Sequence, residues 1–572
     1  MTDLKSFGSG RVVDEPLRVG KAEDVAWDET ADVVVVGLGG AGASAALQAH
    51  ESGADVLVLE RFEGGGSTAY SGGVYYAGGT KFQRDAGVED SADNLFNYLS
   101  QEIVDCVSPQ TLRRFCDESE ANINWLVNHG LQFEGSLYSL KATYPPEDKY
   151  LYYAGNEKVP AFAAKAKPAA RGHRTKGKGW TGYKFYEGLR NAIARTNIRV
   201  AEHSRVTRLV VEDGGRVVGC EVLRLKGPAE REAHQALYKK VIPTKIFNQK
   251  NAEKAIGEAF SLEERDGKRV LVRAKGGVIL ATGGFTYNLP MLTQYHPFLG
   301  KNFTALMRLG SAGCSGAGIQ LGASAGGLLA KMDHKFVGRT VSPPAAQAKG
   351  IIVNERGERF AGEDLYTSLL GEKMLQQKDG KAWLILDEEL YKTSFKQSLP
   401  GNGGTFMNFG LPALLNYFFG GTKKAATPTE LAKLCGFPPG VLEKTIADTN
   451  AAAEGKIPDP VGKYKDYFHV FGKGPYRAVN FSVANPFSFV IVFTLGGLKV
   501  DETRGLVLSE KTGEPIEGLY AAGRAAMGLP SDGYISGLSL ADCVFSGRRA
   551  GRDAAIKRQE PAQAFTPQVV RS

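Results

Sequence analysis

The run Asp32-Val33-Val34-Val35-Val36, followed without a break by Gly37-Leu38-Gly39-Gly40-Ala41-Gly42, constrains this chain more than any other stretch. A valine run of this kind suits a strand buried on both faces. The glycines after it each answer a steric demand. Gly37 permits a tight turn, Gly39 lets backbone N–H groups approach a pyrophosphate, and Gly42 lets the next helix pack closely on the strand. Gly40 and Ala41 open that helix, which is expected to run from about Ala41 to Glu51 and to aim its positive end at the phosphates. A second apolar strand, Asp55-Val56-Leu57-Val58-Leu59, ends in Glu60, where an acid is expected to accept hydrogen bonds from an adenosine ribose. The N-terminal region therefore reads as an α/β, Rossmann-like nucleotide-binding unit.

FAD is favoured over NAD by a second glycine-rich, hydroxyl-bearing loop, Gly64-Gly65-Gly66-Ser67-Thr68-Ala69-Tyr70-Ser71-Gly72-Gly73, which suits the pyrophosphate and the flavin edge. Within it Ser67, Thr68, Ser71, Gly72 and Gly73 are cofactor candidates, with Arg61 and Val206 as flanking contacts. Farther on, Gly276 to Phe285 reads as a buried strand with a glycine exit, so Ala281, Thr282 and Gly283 return the chain to the cofactor. Gly518-Leu519-Tyr520-Ala521-Ala522-Gly523-Arg524 repeats that pattern near the end, adding Gly523 and Arg524. Ser539 and Leu540 follow in the segment from Ser531 to Asp542, which reads as a flavin-seating turn.

These stretches, in this order, resemble the flavoprotein superfamily of fumarate reductases, succinate dehydrogenase flavoprotein subunits and 3-ketosteroid dehydrogenases. The resemblance spans about residues 30 to 555. It implies a FAD-binding domain assembled from both chain ends (1–300, carrying an insertion at about 225–275, and 486–572), with an α+β catalytic or cap domain at 301–485 and the active site at the junction.

The hallmarks of a dicarboxylate site are missing. In fumarate reductases an arginine acting as proton donor follows the motif matched by Asn354-Glu355-Arg356-Gly357-Glu358-Arg359-Phe360; here residues 364 to 371 contain none. The substrate-binding histidine of their His-Thr-Met-Gly-Gly stretch is replaced by Phe493. The arginine eight positions before the Asp of Ser-Leu-Ala-Asp is replaced by Tyr534. Burying a dicarboxylate without these cations would cost several kcal/mol per ion. Ala317 also stands where the family has an acid in a glycine-acid-glycine helix start.

What replaces them is two phenols, Tyr366 and Tyr534, the hydroxyl of Ser536, and an apolar wall that includes Phe493. Tyr366 matches a catalytic tyrosine of 3-ketosteroid dehydrogenases, and Tyr534-Ile535-Ser536-Gly537 resembles the signature of the Δ4-(5α) enzymes in particular. The resemblance implies removal of a proton α to a ring ketone, with hydride passing to flavin N5 and the 4,5 bond becoming unsaturated. Tyr534 and Ser536 are expected to form the proton relay while Tyr366, helped by a backbone N–H near Gly537, holds the carbonyl oxygen; the two tyrosines are exchangeable in these roles. A 1,2-desaturase, a dehydrogenase or ene-reductase of smaller cyclic ketones, and a non-catalytic flavoprotein subunit stay open. The loop from 61 to 73 contains no histidine, so the FAD is expected to be non-covalent, and an external electron acceptor is implied.

Composition adds exclusions. The 572 residues are 43% hydrophobic and 23% charged, with a formal net charge of +8 spread along the chain, which does not make nucleic acid the default partner. Cys106, Cys116, Cys220, Cys314, Cys435 and Cys543 lie far apart, which argues against a zinc site or a disulfide framework. With no long apolar span or signal-peptide pattern, a cytoplasmic protein is expected. The apolar run from Phe409 to Phe419 reads as a buried helix, with a lipid-like substrate entrance or peripheral membrane contact as the alternatives. The segment Lys165 to Lys178 reads as a solvated basic loop, with attraction of an anion as the alternative. Oligomeric state stays open.

Overall fold

The structure is a computed structural model that describes residues 9–241, 248–401, 406–488 and 490–556. Its organising element is a nine-stranded sheet built from both ends of the chain. The strands are β1 (Leu17–Val19), β2 (Glu29–Val36), β3 (Val56–Leu59), β4 (Arg199–Ala201), β5 (Ser204–Glu212), β6 (Val217–Arg224), β7 (Lys268–Leu280), β8 (Leu506–Leu508) and β9 (Pro515–Ala521). The order is β1-β5-β6-β7-β2-β3-β4, with β9 joining β7 and carrying β8. The valine run lies in β2, whose last six residues are buried, in parallel register between β3 and β7.

Strand β7 has two pairings. Lys268 to Arg273 runs antiparallel to β6, whereas Val278 to Leu280 is parallel to both β2 and β9. The register breaks between Ala274 and Gly277, and Gly277 has φ +152°, where a side chain would meet the Tyr520 ring. The glycine pair thus marks the bulge across which one edge of β7 passes from β6 to β9 while the other edge stays on β2.

Between β2 and β3 lies α1 (Gly40–Glu51), buried from Gly40 to Ala49. The insertion folds into α2 (Pro228–Lys240) and α3 (Gln249–Asp266). The chain's last described helix, α4 (Leu538–Ile556), packs on α1 almost backbone to backbone: a Cβ on Gly547 would lie 2.5 Å from the Ala41 carbonyl, and one on Gly551 2.3 Å from that of Ala45. Small residues on both helices therefore fuse the two chain ends into one layer.

Three smaller sheets frame the space below. One pairs Val74–Tyr76, Gly172–Arg174, Leu151–Tyr153 and Leu137–Lys141. Another places Val490–Thr494 between Leu306–Arg308 and Lys335–Gly338. The third, in the inserted α+β region, orders Ile351–Val353, Trp383–Leu386, Tyr476–Asn480 and Lys423–Ala425 around its own apolar core.

Two surface expectations change. The segment 165–178 is a solvated loop only at its ends, where Lys165, Lys167 and Lys178 are exposed; in its middle Arg171 forms a fully buried pair with Asp90 and Arg174 donates to the carbonyls of Glu147, Gly177 and Gly179. The apolar run divides: Phe409 and Tyr417 are buried, whereas Phe418 and Phe419 are each 64% exposed. A helix with one wet face explains the split. Among the described residues no helix is long and apolar enough to cross a membrane, no acid, histidine and cysteine cluster suits a metal ion, and the six cysteines are free.

Candidate active site

Two cavities meet beneath the sheet. The first, of about 900 Å³, is lined by Gly37, Gly39, Gly40 and Ala41, by Glu60 and Arg61, by Ser67 and Thr68, by Val206, by Ala281, Thr282 and Gly283, and by Arg524. Its shape is set by backbone. Gly37 has φ +99°, and a Cβ on Gly42 would lie 1.9 Å from the Gly37 carbonyl, so the turn and the helix behind it close only with glycine at both positions. Helix α1 begins on Gly39 without a side-chain cap, leaving its N-terminal N–H groups to the cavity, although the Gly40 N–H is taken by Thr68 Oγ1 at 2.9 Å. A glycine-floored cradle at a helix N-terminus fits a pyrophosphate, and Glu60 lines the same cavity. The Glu60 carboxylate accepts from the N–H groups of Leu38 and Phe62 at 2.6 and 2.9 Å, while burial raises its pKa above the usual range.

Arg61 turns to α3 rather than into the cradle, pairing bidentately with Glu263 at 2.6 and 3.0 Å. Arg205 and His234 converge on the same carboxylate. Although burial works to raise it, the charges of Arg61 and Arg205 and the hydrogen bond from His234 hold Glu263 well below the ordinary carboxylate range. The insertion is therefore built into the cofactor end of the molecule, with Tyr238 of α2 lining the cavity itself.

The remaining cofactor candidates divide. Gly42 lies behind the cradle, and Gly523, at φ +57°, brings the chain against the Ala41 Cβ. Ser71, Gly72, Gly73, Ser539 and Leu540 line the second cavity, of about 880 Å³. Ser67, Thr68, Arg524 and Cys543 line both, which marks the junction of the two.

Tyr366, Tyr534, Ser536, Gly537 and Phe493 also converge on the second cavity. Phe493 stacks on Phe336 with ring centroids 4.5 Å apart, and Tyr534 stands edge-on to both at 4.8 and 5.0 Å. Tyr366 begins the helix Thr367–Leu375, and its backbone N–H is anchored on Asn156 Oδ1 at 2.6 Å. Gly537 adopts φ +93°, and a side chain there would also meet the Tyr76 backbone at 2.8 Å, so the turn that delivers the segment into α4 requires glycine on both counts. The Tyr534 phenol is thus carried just ahead of a long helix, as expected.

The hydroxyl pairing differs from the expected one. Ser536 Oγ lies 3.2 Å from the Tyr152 hydroxyl and acts on Tyr366, not on Tyr534. Tyr534 has Ser539 and the Arg524 guanidinium as its polar neighbours instead. Burial pushes the Tyr534 phenol up to about 12 despite Arg524, and pushes Tyr366 well above its ordinary value, with Tyr534 and Tyr152 adding to the effect.

Tyr152, Thr143, Tyr144, Trp180 and Phe336 complete the site and were not singled out from the sequence, whereas Phe409, which also lines it, begins the apolar run for which a substrate entrance was one alternative. The aromatic density of Tyr144, Tyr150, Tyr152 and Tyr153 was the available signal. One wall of the second cavity thus comes from 143–180, inside the segment assigned to the cofactor domain.

Comparison with known proteins agrees with this architecture. The family model described as "FAD binding domain" matches residues 32–534. The chain is 36% identical over 526 residues to 3-oxo-5-alpha-steroid 4-dehydrogenase of Comamonas testosteroni, covering 89% of this chain and 96% of that protein. It is 26% identical to a probable fumarate reductase of Shewanella frigidimarina, covering 94% of this chain and 77% of that one. Among solved structures, 3-ketosteroid-delta4-(5alpha)-dehydrogenase from Rhodococcus jostii in complex with 4-androstene-3,17-dione superposes with a TM-score of 0.77 at 33% identity, covering 95% of this chain and all of that one. A glycine-floored nucleotide cradle joined to a phenol-lined cavity, and relatives matched over nearly their whole length, give one conclusion: the chain is an FAD-dependent oxidoreductase of the FAD binding domain family, in its 3-ketosteroid dehydrogenase branch.

Proposed function

We propose that this protein desaturates a 3-ketosteroid at the 4,5 bond, next to the ketone. The observation that carries the reading is the lining of the second cavity: the phenols of Tyr144, Tyr366 and Tyr534 and several serine and threonine hydroxyls face a wall of Phe336, Phe409 and Phe493, and Arg524, at the cofactor junction, is the only charged residue in that lining among the described residues. Such a space suits a neutral, largely apolar ring system with one hydrogen-bonding end. The names of the Comamonas and Rhodococcus relatives support the 4,5 position over the 1,2 position.

In this reading the Tyr366 hydroxyl donates to the ketone oxygen, backed by Ser536 and Tyr152, and a chain of hydroxyls strengthens each bond in it. Polarising the carbonyl makes the α proton acidic, and Tyr534 takes it as the phenolate, its own proton having been released to solvent before the substrate fills the cavity. A standing Tyr534 phenolate at neutral pH would cost roughly 7 kcal/mol for a pKa near 12. Arg524 and Ser539 therefore matter most as the phenolate forms. FAD, when bound, supplies the hydride acceptor. Gly37, Gly39, Gly40, Ala41, Glu60, Ser67, Thr68, Val206, Ala281, Thr282, Gly283 and Arg524 are the residues that would hold it. Among the described residues no histidine lines that cavity, which supports non-covalent binding. An external acceptor completes the cycle.

The test is anaerobic bleaching of the flavin absorbance by a saturated 5α-3-ketosteroid, with Tyr534→Phe in parallel. Bleaching of the wild type alone, with a 4-ene product, is expected. A 1-ene product moves the reaction to the other side of the ketone, and an unbleached, intact flavin removes the steroid from consideration.

A further inference from the structure

Buried guanidinium groups in this protein are matched by acids: Arg171 with Asp90, Arg308 with Glu253, Arg205 with Glu263, and Arg359 with Glu363 and Asp459. Arg174 lacks an acid, but each of its nitrogens donates to an oxygen. Arg339 breaks the pattern. It is 3% exposed, its Nη1 donates to the Ser488 carbonyl, its guanidinium lies 3.8 Å from the centroid of the Phe481 ring, and no carboxylate pairs with it among the described residues. Its Nε has no hydrogen-bond partner.

Two more buried polar atoms beside it are in the same condition, Thr340 Oγ1 and Ser488 Oγ. All three residues line one cavity of about 500 Å³. A buried, unmatched cation next to two unmatched hydroxyls is expensive, and an isolated charge of this kind in a folded chain calls for an anion. Burial alone acts on Arg339, pushing its pKa down to about 9 with no neighbouring charge to oppose it.

The position of this cavity indicates what the anion is attached to. It shares Phe409 and Ile491 with the substrate cavity. Phe409 belongs there to an aromatic group with Tyr144 and Trp180, distinct from the Phe336, Phe493 and Tyr534 group around the reacting phenols. The two spaces are therefore neighbours that share a wall. Resting on the ring-ketone reading above, we propose that the Arg339 cavity receives a carboxylate carried on a side chain of the substrate, at the end away from the ketone. The guanidinium supplies the counter-charge and a planar fork for the two oxygens, and Thr340 and Ser488 supply hydroxyl donors. The preferred substrate is then an acidic ring ketone.

The experiment compares three 3-ketosteroids of one ring system with the holoenzyme: one with a side-chain carboxylate, its methyl ester, and the 17-ketone without a side chain. The acid is expected to show a KM at least about tenfold below that of the ester with kcat little changed. Arg339→Gln should erase that advantage while leaving turnover of the 17-ketone within about twofold. Equal KM values for acid and ester in the wild type overturn the assignment while the ring-ketone reading stands, and this arm needs no variant to fold. Failure of all three to bleach the flavin overturns the ring-ketone reading and the tail site with it.

Discussion

The cofactor cavity and the substrate cavity adjoin, yet they are made of different material. The first is floored by backbone: Gly37, Gly39, Gly40, Ala281 and Gly283 line it at the exits of neighbouring parallel strands. The second is walled by side chains drawn from distant parts of the chain, among them Tyr144, Trp180, Phe336, Tyr366, Phe409, Phe493 and Tyr534. A site made of backbone is written locally, since Gly37 answers a clash with the exit of the adjoining strand at Ala281 and Gly42 one with Gly37 itself. A site made of side chains exists only after the chain has folded. The same division should appear in function, because changes in the first cavity act on flavin retention and changes in the second act on turnover.

The largest effect tests that division directly. Tyr534→Phe should lower kcat/KM for the ring ketone by about a thousandfold, in the range of a lost general base, with flavin content per chain unchanged. Steady-state rates with an artificial acceptor and the flavin absorbance of the purified protein check both halves. Flavin loss in this variant would break the separation. Gly42→Ala is the converse, because its Cβ would lie 1.9 Å from the Gly37 carbonyl and push α1 off the turn. FAD affinity should fall by about a hundredfold, read by titrating apoprotein, while turnover per bound flavin holds. A normal affinity would mean that the strand and helix can separate without disturbing the cradle.

The contrast also explains what could be read from the sequence. The cradle was legible because Gly37 to Gly42 lie within one turn of chain between β2 and α1, and Glu60 ends the next strand. Tyr366, Ser536 and Tyr534 were legible only through a resemblance, since no spacing in the chain announces that residues so far apart face one cavity. Their pairing was not legible at all: Ser536 is two residues from Tyr534, but side chains two apart in an irregular turn diverge, and Ser536 meets Tyr152 from another sheet. Segment 165–178 misled for a related reason, because its acidic partner Asp90 lies about eighty positions earlier and only folding brings the charges together.

A smaller effect sharpens the hydroxyl pairing. Tyr152→Phe removes the partner of Ser536 and leaves the ring in place, so one hydrogen bond worth about 1 kcal/mol is lost from the chain behind Tyr366. A fall of about fivefold in kcat with KM nearly unchanged is expected from single-turnover flavin reduction. An unchanged rate constant would assign Ser536 back to Tyr534.

The smallest effect concerns how the substrate cavity keeps its shape. Tyr366 is held by Asn156, whose Nδ2 donates to Glu102 Oε1 at 2.8 Å, and the Tyr98 hydroxyl donates to the same oxygen at 2.6 Å. Burial raises Glu102 to about 7, against the pull of those two hydrogen bonds. Between its ordinary pKa of 4.5 and about 7 the folded chain therefore keeps a proton that the unfolded chain has released. That contribution to stability is fully present below this window and declines as pH rises through it, by roughly 3 kcal/mol in all. His173, His203 and His296, each lowered to about 4 by burial, act in the opposite sense, since the unfolded chain gains their protons first as pH falls. The wild-type melting curve alone mixes the two. Glu102→Gln keeps an acceptor for Tyr98 and Asn156 and cannot ionise, so the difference between variant and wild type isolates the carboxyl. The variant should gain about two to four degrees relative to the wild type between pH 5 and pH 8, measured by calorimetry, with turnover within about twofold at pH 7. Parallel melting curves would place Glu102 in contact with water and remove it from the support of Tyr366.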